Sequence, residues 1–129
     1  MPDSPNLTLV RRLYDSGMAP DVVAEVIDPG IVWDITPGFP YGGVYKTWAS
    51  VGGDFFGRLT PRFTSFGAVA EDFYGAGEHV FVHGHYHAVS KSGQESDARF
   101  IHLWTVTDGK LTRLIQAADS HVVQQAANN

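Results

Sequence analysis

The sequence predicts a single domain of the α+β class, and two patterns support this prediction. Its 129 residues are close to the commonest length of one domain, and with 43% hydrophobic and 18% charged residues it can build a core. Helix signals dominate about the first sixty residues, whereas the side chains from Pro61 onward alternate with the period of two that β-strands show. Helices followed by a run of strands are typical of α+β domains.

Two helices are predicted near the start of the chain. Ser4 and Pro5 provide an N-cap and a favoured first helical residue, and Gly17 can end the helix in a left-handed conformation. A second, shorter helix begins at Pro20 and is stopped by the Asp-Pro-Gly sequence at 28–30. Both segments place apolar residues at helical spacing, so each is expected to pack one face against the core.

The next segment is predicted to contain a strand, a loop and a third helix. The short strand 31–35 is followed by the proline- and glycine-rich stretch 36–43, which we interpret as a loop able to cover a site. A helix is predicted over 47–59, although Gly52 and Gly53 each weaken it by about 1 kcal/mol relative to alanine.

Four strands are predicted in the second half of the chain. They are rich in Val, Phe, Thr and Tyr and are separated by short glycine-containing turns. Because tight turns join antiparallel strands, the four strands are expected to form an antiparallel meander. They span residues 62–74, 78–90, 96–107 and 110–118, and residues 124–129 are expected to be a frayed tail after a core of about 7–123.

Composition excludes or disfavours several classes of function. The net charge of −5 argues against sequence-independent nucleic-acid binding, and the absence of cysteine excludes disulfides and thiolate chemistry. No basic run suggests a membrane patch, and no apolar run is long enough for a membrane span. Residues 1–7 do not resemble a secretory signal, so a cytoplasmic location is the default expectation.

Three histidines alternate along the predicted strand 78–90. His83, His85 and His87 share one face of this strand, together with Phe81 and Val89. A His-x-His pair on a strand can hold a metal ion, because ring nitrogens two residues apart converge. The alternatives are a polar, partly solvated face at a sheet edge or dimer surface, or a role for one histidine in a pocket, for which His85 is the best candidate.

His102 is a second candidate for acid or base chemistry. It lies between Phe100 and Trp104 on one face of the strand 96–107 and is therefore expected to be buried. Burial lowers the pKa of histidine and keeps the ring neutral, so that one nitrogen donates and the other accepts. A proton shuttle and a hydrogen-bonded core histidine both fit this pattern.

Asp119 follows the mostly apolar end (114–118) of the last predicted strand, and its position has two explanations. It can be a general base in an apolar pocket, or a cap for a helical turn that begins at Ser120. The residues alone favour the cap. The sequence contains neither a Gly-x-Ser-x-Gly elbow nor a phosphate-binding loop, so it predicts no nucleophile of those types.

Several motifs together carry a family resemblance over about residues 7–123. The most specific is the Asp108-Gly109-Lys110 turn followed by Asp119 on the last strand. Other contributing segments are 33–38 (Trp-Asp-Ile-Thr-Pro-Gly), 40–45 (Pro-Tyr-Gly-Gly-Val-Tyr), Phe55-Phe56, and 100–106 (Phe-Ile-His-Leu-Trp-Thr-Val). On these motifs the chain resembles the SnoaL-like branch of the nuclear transport factor 2 (NTF2)-like superfamily, which includes polyketide cyclases and ketosteroid isomerase.

This resemblance implies an NTF2-like (cystatin-like) cone, in which N-terminal helices pack on a curved antiparallel sheet and enclose an apolar pocket. It also implies a homodimer formed through the sheet and chemistry without a metal or cofactor. In cyclase-like members the aspartate of the final strand is the base, so the resemblance assigns that role to Asp119.

The resulting hypothesis is an enzyme that transfers protons on a small apolar carbonyl compound. Asp119 would be the base, and His102, with His85, would orient or protonate the developing oxyanion. The predicted pocket lining, each member of which could equally be plain core, is Trp33, Tyr45, Trp48, Phe56 and Trp104. The alternatives are a non-catalytic ligand-binding or interaction module and, third, a histidine-bound metal centre.

Overall fold

The structure, a computed structural model, describes residues 4–129. Residues 1–3, which belong to the segment expected to lack a secretory signal, lie outside this range. Helices α1 (Pro5–Asp15) and α2 (Pro20–Val26) form where the sequence predicts them. Ser4 caps α1 because its Oγ accepts a hydrogen bond from Leu7 N at 3.2 Å. In the described part of the chain, no helix is long and apolar enough to cross a membrane.

Six strands form one open, mixed sheet. Their order across the sheet is β2-β1-β6-β5-β4-β3. The predicted antiparallel meander is confirmed for the last four strands, whereas β1 lies parallel to β6 and antiparallel to β2. The strands are β1 (Ile27–Ile35), β2 (Gly43–Lys46), β3 (Phe63–Ala76), β4 (His79–Ser90), β5 (Glu95–Thr107) and β6 (Lys110–Ala118).

The predicted third helix is present but irregular in its middle. It consists of α3 (Trp48–Ser50), a π-helical segment (Val51–Phe56), α4 (Gly57–Leu59) and a 3₁₀ turn (Thr60–Arg62). The π-helical segment contains Gly52 and Gly53, the two glycines that were expected to weaken the helix. Its wider turn brings the consecutive side chains of Phe55 and Phe56 to the same tryptophan, Trp33, at centroid distances of 6.2 and 5.2 Å.

Two boundaries differ from the sequence-based expectation. Strand β1 starts at Ile27 rather than residue 31, with an irregular register between Ile27 and Val32. Residues 124–127 are not frayed, because helix α5 (Ser120–Ala127) continues through them. Ala126 and Ala127 are buried, and this contact with the core holds the end of the helix in place.

The sheet has a buried inner face and an exposed outer face. On β4 the inner set is Val80, Val82, Gly84, Tyr86 and Ala88, while the histidines point outward. A Cβ on Gly84 would lie 2.1 Å from Val69 O and 2.8 Å from Phe100 Cζ. The glycine therefore allows β3 and Phe100 to approach this point of the inner face. The helices cover the inner face, and the candidate site lies between the two layers.

Candidate functional site

The sheet and the helices enclose an apolar cavity of about 260 Å³. Aromatic side chains from the third helical segment, from the loop after β1 and from the sheet make most of its wall. Trp33 is the centre of this wall: its ring lies within 6.2 Å of Phe55 and Phe56, 5.6 Å of Trp48 and 6.1 Å of Trp104. Such a wall favours a small apolar ligand.

The cavity opens to solvent on one side. The lining residues that are exposed come from the α1–α2 turn, from the 3₁₀ turn and from edge strand β3, and they are Gly17, Thr60, Gly67 and Ala68. All four are small or short, so they leave room for a ligand to enter. Phe39, from the predicted loop, covers another part of the cavity and packs 5.6 Å from the ring of Tyr86.

A hydrogen-bonded network of polar side chains crosses the cavity wall. His102 is at its centre: Tyr86 Oη lies 2.6 Å from Nε2, and Tyr14 Oη forms a very short contact with Nδ1. Each ring nitrogen of His102 thus already has a hydroxyl partner. The histidine predicted from the sequence is buried in the cavity wall, and helix α1 and strand β4 supply its two tyrosines.

Two further donors fix the ends of this network. Trp104 Nε1 donates to Tyr14 Oη at 2.9 Å, and Gln116 Nε2 donates to Tyr86 Oη at 2.8 Å. The Oε1 atom of Gln116 accepts a hydrogen bond from Thr36 N at 3.3 Å, which sets the orientation of the amide. All five side chains line the cavity, and they project from four different elements.

Burial keeps the network uncharged. It lowers the pKa of His102 to about 3, because the imidazolium would lose its hydration. It also raises the pKa of both tyrosines, Tyr14 and Tyr86, well above the ordinary value. At neutral pH the cavity therefore presents hydroxyl, indole, amide and neutral imidazole groups, and no Asp or Glu of residues 4–129 is part of its lining.

The predicted pocket lining divides into two groups. Trp33, Phe56 and Trp104 line the cavity, whereas Tyr45 and Trp48 do not. Trp48 packs against the ring of Trp33, and the hydroxyl of Tyr45 donates to Tyr41 O at 2.5 Å. These two aromatics support the wall and the covering loop from outside.

His85 lies on the outer face of the sheet, away from the cavity. Its Nδ1 is 2.9 Å from Glu71 Oε1, and its side chain is 28% exposed. The reason is the alternation of β4, which turns Tyr86 inward and its neighbours outward. His85 therefore does not line the cavity, where its catalytic role was expected.

The other two histidines of the series also pair with carboxylates. His83 Nδ1 is 3.2 Å from Asp72 Oδ2, and His87 Nδ1 is 2.7 Å from Asp97 Oδ1. The hydrogen bond to Asp97 raises the pKa of His87. Among the residues that the structure describes, no group of three His, Asp or Glu side chains has the geometry to hold a metal ion. The part of the outer face that carries the three histidines is therefore polar and partly solvated.

Asp119 is the N-cap of α5. Its Oδ1 accepts a hydrogen bond from Val122 N at 3.2 Å, and the residue is exposed and outside the cavity lining. This is the capping arrangement that the residues alone favoured. The catalytic role that the resemblance assigned to Asp119 stays a prediction.

Sequence reasoning missed Tyr14, Tyr86 and Gln116. Tyr14 looks like one more apolar position of α1, and Tyr86 stands on the face of β4 opposite to the histidines. One signal was available: Gln116 has the same alternation as Leu114 in the otherwise apolar stretch 114–118, and a buried amide needs a polar partner. The identity of that partner depends on the pairing of distant strands.

The fold is that of the NTF2-like, or cystatin-like, α+β proteins. A family model for the SnoaL-like domain matches residues 10–114, and the chain belongs to this family. No protein with a curated description matches the sequence.

Solved structures of similar proteins cover nearly the whole chain. TerC, co-crystallised with polyporic acid, has a TM-score of 0.84 and 22% identity over 98% of this chain and 100% of its own. An NTF2-like protein from Burkholderia thailandensis has a TM-score of 0.82 and 26% identity, covering 97% of this chain and 98% of that one. A putative SnoaL-like polyketide cyclase from Jannaschia has a TM-score of 0.78 and 23% identity, with coverages of 98% and 96%.

Proposed function

We propose that this SnoaL-like protein is an enzyme that performs acid/base chemistry of the cyclase or isomerase type, without a cofactor, on a small apolar carbonyl compound. The observation that carries the proposal is the neutral His102, held between the hydroxyls of Tyr14 and Tyr86 in the wall of an apolar cavity. The structural similarity to a putative SnoaL-like polyketide cyclase is consistent with this chemistry.

The cavity suits a carbonyl reaction for an electrostatic reason. When a proton leaves the carbon next to a carbonyl, negative charge develops on the oxygen, and fixed hydrogen-bond donors in a dry site stabilise that charge. A tyrosine hydroxyl of the network is such a donor, because the network holds it in place before a ligand arrives. Their raised pKa values keep them protonated at neutral pH.

The proposed reaction also requires a base that accepts the carbon-bound proton. Asp119 is the residue predicted for this role, and it stands at the N-cap of α5 rather than in the cavity lining. This position favours the second candidate function, a non-catalytic module that binds the same class of ligand. The two functions share the binding step and differ in whether a carbon-bound proton is removed.

One experiment separates the two candidates. The wild-type protein is incubated in D₂O with simple cyclic ketones, and binding is followed by thermal shift while the loss of the α-proton signal is followed by ¹H NMR. A ligand present at a hundred times its dissociation constant stabilises the folded state by about 2.7 kcal/mol, which a thermal shift detects. The enzyme proposal predicts binding and exchange above the buffer rate. Binding without exchange supports the module, and no binding by any ketone contradicts both.

We also propose that the chain forms a homodimer through the outer face of the sheet. Three large apolar side chains, Phe81, Ile101 and Ile115, are each between 36% and 39% exposed there. They stand on neighbouring strands and form an apolar area of the kind that association buries.

A further inference from the structure

The hydrogen-bonded network formed by Tyr14, His102 and Tyr86, with Trp104 and Gln116 at its ends, contains a fixed number of protons. This number determines which ligands the cavity can bind. Both ends of the network are closed by groups that only donate towards it: Trp104 Nε1–H points at Tyr14, and Gln116 Nε2–H points at Tyr86. The amide of Gln116 cannot be turned round without loss of the hydrogen bond that its Oε1 accepts from Thr36 N. Neither end therefore accepts a proton from a tyrosine.

Between these ends, three protons are available for two hydrogen bonds. Each tyrosine provides one hydroxyl proton, and the neutral imidazole of His102 provides one N–H proton. The two hydrogen bonds join Tyr14 Oη to Nδ1 and Tyr86 Oη to Nε2. If Tyr14 donates to Nδ1, then Nε2–H donates to Tyr86, whose own proton is left over. In the other tautomer of His102, Tyr86 donates to Nε2 and the proton of Tyr14 is left over.

We propose that this surplus hydroxyl proton, on Tyr14 or Tyr86, is the donor for an acceptor oxygen of the ligand, and that the tautomer of His102 selects which tyrosine carries it. His102 is then a positioning residue, since both of its nitrogens are engaged by the tyrosines. The inference rests on the proposed function for the ligand itself and adds the group that contacts it. A ligand that fills the cavity displaces water from this hydroxyl, and a buried donor left without an acceptor is costly, so a ligand that brings an oxygen to this point is favoured.

The single surplus hydroxyl proton also determines the chemical class of the ligand. A ketone oxygen accepts the surplus proton and brings no proton of its own. An alcohol brings a further O–H, for which the network has no acceptor, because the tyrosine with the surplus proton already accepts from two donors. A hydrocarbon of the same shape fills the cavity and leaves the hydroxyl unpaired. The site should therefore rank a ketone above the matching alcohol and hydrocarbon.

The first test uses three probes of matched size on the wild-type protein: 1-indanone, 1-indanol and indane, with dissociation constants measured from tryptophan fluorescence. We expect 1-indanone to bind about tenfold more tightly than indane, as one net hydrogen bond provides, and also more tightly than 1-indanol. Equal affinities for 1-indanone and indane, or a preference for 1-indanol, overturn the inference and leave cavity binding intact. If none of the three binds, the proposed function fails as well.

The second test supplies the missing acceptor inside the protein. In Gln116→Glu, an ionised carboxylate accepts the proton of Tyr86, so every proton in the network has a partner and the preference for 1-indanone over indane is expected to disappear. Gln116→Met is the size-matched control, which adds no acceptor and keeps the preference. Retention of the full preference in Gln116→Glu at a pH that ionises the carboxyl overturns the inference.

A third measurement needs no variant. The ¹⁵N chemical shifts of the His102 side chain, recorded with and without 1-indanone, report the protonation of each ring nitrogen. We expect one protonated and one bare nitrogen in both states at pH 7. Two protonated nitrogens in either state would add a fourth proton to the network and would contradict the proposed count.

Discussion

The imidazole of His102 lies flat on the phenyl ring of Phe100, with ring centroids 3.8 Å apart and planes 11° apart. The two residues alternate on β5, so both face the interior. Phe100 covers one face of the ring while the two tyrosines occupy its nitrogens. The imidazole has hydrogen bonds but is almost fully buried, so a charged ring would lose its hydration, which explains the low pKa of His102.

This burial predicts a loss of stability in acid. The pKa of His102 is about 3 in the folded state, against about 6.5 in an unfolded chain. Below pH 6.5 the unfolded state binds a proton that the folded state excludes, so the free energy of unfolding falls as the pH falls from 6.5 towards 3. Between pH 7 and pH 4 this one group should cost about 3 kcal/mol.

The measurement is urea denaturation of the wild type and of His102→Gln across this pH range. The variant lacks the titrating group, so its stability should depend less on pH, even if it is lower at pH 7. Contributions of other groups, including the opposite one from His87 with its raised pKa, largely cancel in the difference between the two proteins. Parallel pH profiles would show that His102 is not excluded from protonation in the folded state.

Gly84 is predicted to be intolerant of any side chain. In Gly84→Ala the new Cβ meets backbone atom Val69 O at 2.1 Å, which cannot move without disturbing the pairing of β3 with β4. We expect a loss of at least 1–3 kcal/mol, the usual range for overpacking. Gly67→Ala on the neighbouring strand is the control, because a Cβ there meets nothing within 4 Å. A similar small effect for both substitutions in chemical denaturation would contradict the packing at Gly84.

The two roles of Asp119 are separated by two substitutions. As an N-cap, Asp119→Ala should cost about 1 kcal/mol, whereas Asp119→Asn should cost little, since asparagine caps equally well. As a base, Asp119→Asn should abolish ketone proton exchange in a protein of unchanged stability. Denaturation and the exchange assay are therefore measured on the same samples. Unchanged exchange in Asp119→Asn removes the residue from the chemistry and leaves the cap.

The entrance of the cavity is predicted to be sensitive at Ala68. This residue pairs with Tyr86 and faces inward at the exposed side of the cavity. Ala68→Leu should slow the binding of a bulky ketone such as 2-acetylnaphthalene several-fold, and affect 1-indanone less, because the longer side chain narrows the opening. Stopped-flow tryptophan fluorescence measures the association rate.

The control for the entrance is the next residue of the same strand. Val69 pairs with outward-facing His85 and is 43% exposed, so Val69→Leu adds a methylene group on the opposite face. Its association rates should equal those of the wild type. If Ala68→Leu and Val69→Leu behave alike, ligands enter elsewhere.

The proposed dimer is tested on the outer face of the sheet. Ile101→Glu places a charge among the exposed apolar side chains and should convert a dimer into a monomer in analytical ultracentrifugation. Ala24→Glu, on the exposed side of α2, introduces the same charge away from this face and should not change the mass. A wild-type protein that is monomeric at high micromolar concentration contradicts the proposal directly.

Much of the local structure could be predicted from the sequence because its causes are local. The cap at Ser4, the turns between the last four strands and their alternation all follow from residues close to one another in the chain, and each appears in the structure. The same local logic identified His102 as buried, from its aromatic neighbours two positions away on either side. Short motifs between Trp33 and Asp119 carried the resemblance to the family, which a family model over residues 10–114 confirms.

Tertiary structure alone decided which residues share the cavity. Alternation divides β4 into two faces without saying which one is inside, and the packing of the helices puts Tyr86 in and His85 out. The contact of Tyr14 with His102 joins residues 88 positions apart, and that of Gln116 with Tyr86 joins residues 30 positions apart. The first contact depends on how α1 crosses the sheet and the second on the register of β4, β5 and β6, and no local pattern encodes either.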